Sequence, residues 1–211
     1  AITNHGFLKT YLSLFGDPYA DAIEPLLPAN LSQPTMQLPF ETGKIWSFTG
    51  GPHPVWGEGS AWAALDFAPP KEELGCIPTN EWLTAVADGV VVRSEPALVM
   101  LDLDGDGYEQ TGWNVLYYHV ETTGGIAAGT RVKAGDRIGH PSCEGGISTG
   151  THVHMARKYN GEWIPADQDV PFDLDGWISS GTGYIYDGYM TKNGVQVEAL
   201  DGKSEENQIS H

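Results

Sequence analysis

"GWNVLYYHV", residues 112–120, decides the fold class. Read with a period of two, it sends Val115, Tyr117 and His119 to one side and Leu116, Tyr118 and Val120 to the other. Both sides are largely apolar, so the stretch reads as a strand buried on both faces, near the middle of a sheet. The neighbouring sequence agrees. "TAVADGVVVRS" carries an Asp88-Gly89 turn that enters a β-branched run, and "VKAGDRIGH" reads as a hairpin-like turn. Twenty-seven glycines and fourteen prolines are spread along 211 residues, which suits short strands and tight turns better than a helical bundle. The expected class is mainly β: a compact antiparallel core with a short N-terminal helical segment.

Outside this core the pattern changes. Phe7, Leu8, Tyr11, Leu12 and Phe15 recur at the spacing of one helical face, so residues 6–15 read as an amphipathic helix packed on the core. Asp17-Pro18 looks like the start of a second short helix that Pro25 stops. The expected organisation is a helical and coil extension over 1–45, a main domain over 46–200 and a polar tail over 201–211 that frays.

The charge is strongly acidic, 28 Asp and Glu against 11 Lys and Arg, for a formal −17. That field repels phosphate backbones and anionic lipid, so neither nucleic acid nor membrane is an expected partner. No stretch approaches the ~20 apolar residues of a bilayer span. Cys76 and Cys143 are too few for a metal cage and suffice for one disulfide, with buried thiols as the alternative. A turn-rich acidic chain suits an extracellular setting, where the bridge is the expected state.

The chemistry concentrates in "STGTHVHMARK", residues 148–158. His152 and His154 are two apart on a strand and therefore share a face, while Val153 and Met155 face the other way. Alone, such a pair could be hydrogen-bonded surface groups. Upstream, "GGPHPVWGEGSAWAALDFAP" offers His53 in a Gly/Pro loop and Asp66 at the end of an apolar run.

With "GGPH", "ALDFAP", "VADGVVV", "YYHV", "GDRIG" and "STGTHVHM" in this order, the chain resembles the lysostaphin and β-lytic type zinc endopeptidases, which cleave peptidoglycan cross-bridges. The long spacing from His53 to Asp66 resembles the β-lytic and staphylolysin branch. The resemblance implies that His53, Asp66 and His154 are zinc ligands and that His119 and His152 flank the reacting water. Spacing by itself does not say which of His152 and His154 holds the metal.

The set makes chemical sense. Zinc takes imidazole nitrogen and carboxylate oxygen at ~2.0–2.1 Å, and a catalytic site keeps three protein ligands with one open position. Metal-bound water falls from pKa 15.7 toward about 7. No H-E-x-x-H motif supplies a glutamate base, so proton transfer falls to His119 and His152. His5, His140 and His211 read as bystanders, and Tyr117 as a core residue that could also reach the groove.

"DLDGDGYEQTGW" places Asp102, Asp104 and Asp106 at alternate positions like a calcium loop, but its twelfth residue is Trp113 instead of a bidentate Glu. A calcium-braced hairpin and a plain acidic turn both remain open. The expected whole is a secreted, monomeric zinc endopeptidase acting on Gly-containing peptides such as peptidoglycan cross-bridges. The rival is a non-catalytic module on the same scaffold that binds wall peptides or a partner protein.

Overall fold

A computed structural model describes residues 5–15, 26–70 and 75–211. Among these residues one α-helix, α1 (His5–Phe15), precedes fifteen short strands, and a single 3-10 turn spans Glu205–Asn207. These are β1 (Trp46–His53), β2 (Ala64–Ala68), β3 (Leu83–Thr84), β4 (Gly89–Glu95), β5 (Ala97–Asp102), β6 (Trp113–Val120), β7 (Arg131–Val132) and β8 (Arg137–Gly139). They continue as β9 (Val153–Tyr159), β10 (Glu162–Trp163), β11 (Asp173–Leu174), β12 (Trp177–Gly181), β13 (Gly188–Lys192), β14 (Val195–Glu198) and β15 (Gln208–Ile209). The mainly β, antiparallel expectation holds.

The large sheet runs β15-β1-β2-β9-β6-β5-β4-β7, with β10 paired to β9. Strand β6 lies inside this order, as its two apolar faces require. Val115 and Tyr117 enter the main core with Phe48, Phe67, Val153 and Met155. Leu116 enters a smaller cluster on the opposite face with Met100, Ala156 and Val55. A second sheet, β11-β12-β13-β14, contributes Leu174, Trp177, Met190 and Val197 to the main core. The two faces thus differ in use: one is sealed by the second sheet, and the other carries the polar cluster described below.

Arg157 shows how the coil before β1 is tied down. Its guanidinium, wholly buried, donates to Gln33 Oε1 and to the Val170 carbonyl and lies over the rings of Phe172 and Trp113. These two acceptors and the ring faces compensate part of the cost of burying the cation, while its Nε is left without a hydrogen-bond partner. Cys76 and Cys143 form a disulfide across 67 positions of sequence, with Cα atoms 5.6 Å apart. Closing so long a loop in the unfolded chain stabilises the fold by about 4 kcal/mol on the chain-entropy model.

Three local expectations fail. Phe7, Leu8, Leu12 and Leu14 of α1 are exposed, so the helix does not lay its apolar face on the core. Met36, Leu38 and Phe40 of the later coil, by contrast, are buried in the main core. The tail does not fray: β15 pairs with β1, Asn207 and Ile209 are buried, and Asn207 Nδ2 donates to Phe48 and Gly202 carbonyls. Residues 132–140 are no hairpin, because β7 pairs with β4 while β8 pairs with β3. The second helix expected near residues 18–25 lies outside the described residues. No helix among the described residues is long and apolar enough to cross a membrane.

Candidate metal centre

Strands β1, β2, β9 and β6 are consecutive neighbours, and each delivers part of one cluster. His53 closes β1, Asp66 sits in β2, His154 is directly opposite Asp66 in β9, and Tyr118 of β6 is opposite His154. His152 lies just before β9, two residues from His154 and therefore on the same face. Gly50 stands opposite Asp66, where an added Cβ would come within 2.7 Å of Asp66 Oδ2. Glycine there is a requirement of close approach, not of chain flexibility.

His53 Nε2, Asp66 Oδ1 and His154 Nδ1 form a triangle with edges of 2.9, 3.2 and 3.3 Å. Ligands held ~2.0–2.1 Å from one tetrahedral ion stand roughly 3.3 Å apart, so three atoms already have zinc-ligand spacing. Asp66 Oδ1 is buried without a hydrogen-bond partner, as a carboxylate oxygen reserved for a cation would be. The donor set, two nitrogens and one oxygen, suits zinc chemically.

The electrostatics agree. Burial alone would raise the Asp66 carboxyl, yet His53 and His152 hold it well below the usual range, so it is ionised. Burial would lower His53, but the Asp66 charge outweighs it and raises this imidazole. The same field attracts a divalent cation. His119 goes the other way, pushed down to about 4 by burial and then by His152, which leaves it a neutral base.

His119 reaches this face through a break in alternation. Its φ is 62°, and the β5–β6 register jumps from Leu98 opposite Tyr118 to Ala97 opposite Val120. The extra residue is a bulge, which re-aims a side chain at the rim of a sheet. The expectation that His119 shares a face with Tyr117 is therefore corrected. Tyr117 is wholly buried in the main core and its hydroxyl accepts from the Val86 amide, whereas Tyr118 faces the cluster. His119 and His152 lie ring to ring at 4.5 Å, and His152 Nε2 is 3.8 Å from Asp66 Oδ1.

All five expected histidine and aspartate positions thus converge. Two other histidines serve the fold: His140 bonds the Glu81 carbonyl against Trp82, and His211 joins Phe40 O to Asp175. Asp102, Asp104 and Asp106 also gather, with one oxygen from each within 4.8 Å of the others. Asp102 accepts the amides of Asp104, Gly105 and Gly107, and Asp104 is raised to about 6 by partial burial and by Asp102.

Sequence reasoning missed two aromatic walls. Tyr186, from the loop between β12 and β13, stacks on His53 at 4.2 Å, and the Gly51 amide donates to the Tyr186 carbonyl. Trp56 stands edge-on to both Tyr118 and Trp163 and is half exposed. Only the doubled glycine of "GGPH" hinted at the first, since an added Cβ on Gly51 would strike the Asp187 backbone at 2.6 Å.

The model of Peptidase family M23 matches residues 75–165, a span that holds His119, His152 and His154. His53 and Asp66 precede it and join the cluster through the fold. The chain is 26% identical over 175 residues to Protease LasA of Pseudomonas aeruginosa, covering 75% of this chain and 40% of that protein. It is 29% identical over 172 residues to the Beta-lytic metalloendopeptidase of Achromobacter lyticus, covering 75% of this chain and 43% of that protein. The chain thus spans less than half the length of these two relatives. The solved structure of pseudoalterin, an M23 metalloprotease from the deep sea, superposes with a TM-score of 0.64 at 26% identity, covering 78% of this chain and 95% of that one. Residues 75–165 therefore match Peptidase family M23, and the chain is similar over three quarters of its length to LasA and to the Beta-lytic metalloendopeptidase.

Proposed function

We propose that this protein is a secreted, zinc-dependent endopeptidase that hydrolyses peptide bonds in Gly-containing peptides such as peptidoglycan cross-bridges. The observation that carries the reading is the His53, Asp66 and His154 triangle, three buried ligand atoms at zinc spacing. Zinc held there supplies Lewis acidity toward a scissile carbonyl and acidifies the attacking water. His119 and His152 stand beside it with their Nδ1 atoms donating to the Glu144 and Gly150 carbonyls. Each is thereby fixed as the tautomer whose Nε2 carries the lone pair. Such a nitrogen accepts the proton of attacking water and returns it to the leaving amine. Half-exposed Trp56 and Tyr186 wall the approach.

The rival reading, a binding module on the same scaffold, has less support. A module that only bound peptide would have no use for two flanking imidazoles with fixed tautomers beside the ligand set. Zinc analysis with hydrolysis of pentaglycine tests the choice. One zinc per chain, cleavage abolished by a chelator and restored by zinc is the expected result; a zinc-free active protein, or a zinc-loaded inert one, would contradict it.

The Asp102, Asp104 and Asp106 loop is a separate proposal, as a calcium brace of the β5–β6 connection. Millimolar calcium should raise the melting temperature by about 3 °C, from mass action on the folded state. An unchanged melting curve removes it.

A further inference from the structure

We propose that the disulfide-closed segment 143–151 is the positioning element for both flanking histidines. The segment has no strand or helix hydrogen bonds of its own between Cys143 and Gly150. It nevertheless supplies both carbonyls that fix the imidazoles: Glu144 O lies 2.7 Å from His119 Nδ1, and Gly150 O lies 2.8 Å from His152 Nδ1. These two histidines come from different places, the bulge of β6 and the entry to β9. One irregular loop sets the tautomer of both.

What holds the loop is equally specific. Cys143, next to Glu144, is bonded to Cys76, and the partner segment reaches the other end as well. The Thr151 amide donates to Gly75 O at 3.0 Å and its hydroxyl to Ile77 O at 2.7 Å. Ser148 Oγ sits between the parts, 2.8 Å from Gly150 O, 3.3 Å from His152 Nδ1 and 3.4 Å from Cys143 Sγ. Glu144 is anchored by its carboxylate, which accepts from the Thr122 amide and hydroxyl. Gly145, at φ 94°, lets the loop press on Tyr118: an added Cβ would lie 2.7 Å from the tyrosine oxygen. The ligand triangle, by contrast, is carried by β1, β2 and β9 and needs none of these contacts. Loss of the disulfide therefore separates metal binding from proton transfer. Outer-shell partners that orient a histidine are worth about 10–100-fold when lost.

The test is the Cys76→Ala/Cys143→Ala double variant, loaded with zinc and assayed below its melting temperature. Its kinetic arm rests on the peptidase reading, whereas its spectroscopic arm does not. Zinc content should stay as in wild type, KM should stay within about threefold, and kcat should fall by about 10–100-fold. The downfield proton resonances of His119 and His152 Nδ1–H should exchange away while that of His53, which bonds Gly51 O, persists. A merely structural bridge would lower the melting temperature by roughly 10 °C and leave kcat and all three resonances in place, which overturns the proposal. Simultaneous loss of all three overturns it too. Should the double variant fail to fold, Ser148→Ala keeps the disulfide and removes only the hydroxyl between Gly150 O and His152. It should selectively shift the His152 resonance and lower kcat; an unaltered resonance and rate contradict the idea. If wild type shows no hydrolysis, the peptidase reading fails, and the resonances still decide the positioning claim.

Discussion

On the zinc-peptidase proposal, His154→Ala should remove zinc and lower kcat/KM by about 10³-fold or more, equivalent to ~4 kcal/mol of lost transition-state stabilisation. The imidazole stands at the shared corner of the cluster, 2.9 Å from His53 and 3.2 Å from Asp66. Without it two ligands remain, 3.3 Å apart, too few for a three-ligand site. The variant also leaves a buried carboxylate short of one imidazole neighbour. Metal analysis and pentaglycine hydrolysis measure the effect. His140→Ala is the control, because that ring packs on Trp82 away from the cluster and should leave both readouts unchanged.

His119→Gly should keep its zinc and lose about 10²–10⁴-fold in kcat, the usual worth of a positioned general acid or base. Glycine is the chosen replacement because the backbone there has φ 62°, a conformation it adopts without cost. Loss of rate then reports loss of the imidazole and not of the bulge. Added imidazole should restore part of the rate. A variant with wild-type kcat would remove His119 from proton transfer and leave His152 as the sole candidate.

Much of this centre was legible in the sequence, and the exceptions have physical causes. Period-two alternation identified β6 and β9 because a strand's side chains obey backbone geometry wherever the ladder is regular. It failed at His119, where one extra residue turns the chain over and exchanges the parts of Tyr117 and Tyr118. Convergence of His53, Asp66 and His154 is a property of strand order, so it came from family resemblance and not from spacing. Tyr186 was invisible because a loop of the second sheet delivers it, more than a hundred residues from the His53 it stacks on. Polarity misled at the tail. Asn207 buries its amide by bonding three carbonyls, which composition does not reveal.

X-ray absorption at the zinc edge of the zinc-loaded protein tests the central claim most directly. The expected shell is two imidazole nitrogens and one carboxylate oxygen at ~2.0–2.1 Å with one further light-atom ligand. A shell without imidazole scattering, or one that Asp66→Asn and His53→Ala leave unaltered, would contradict it.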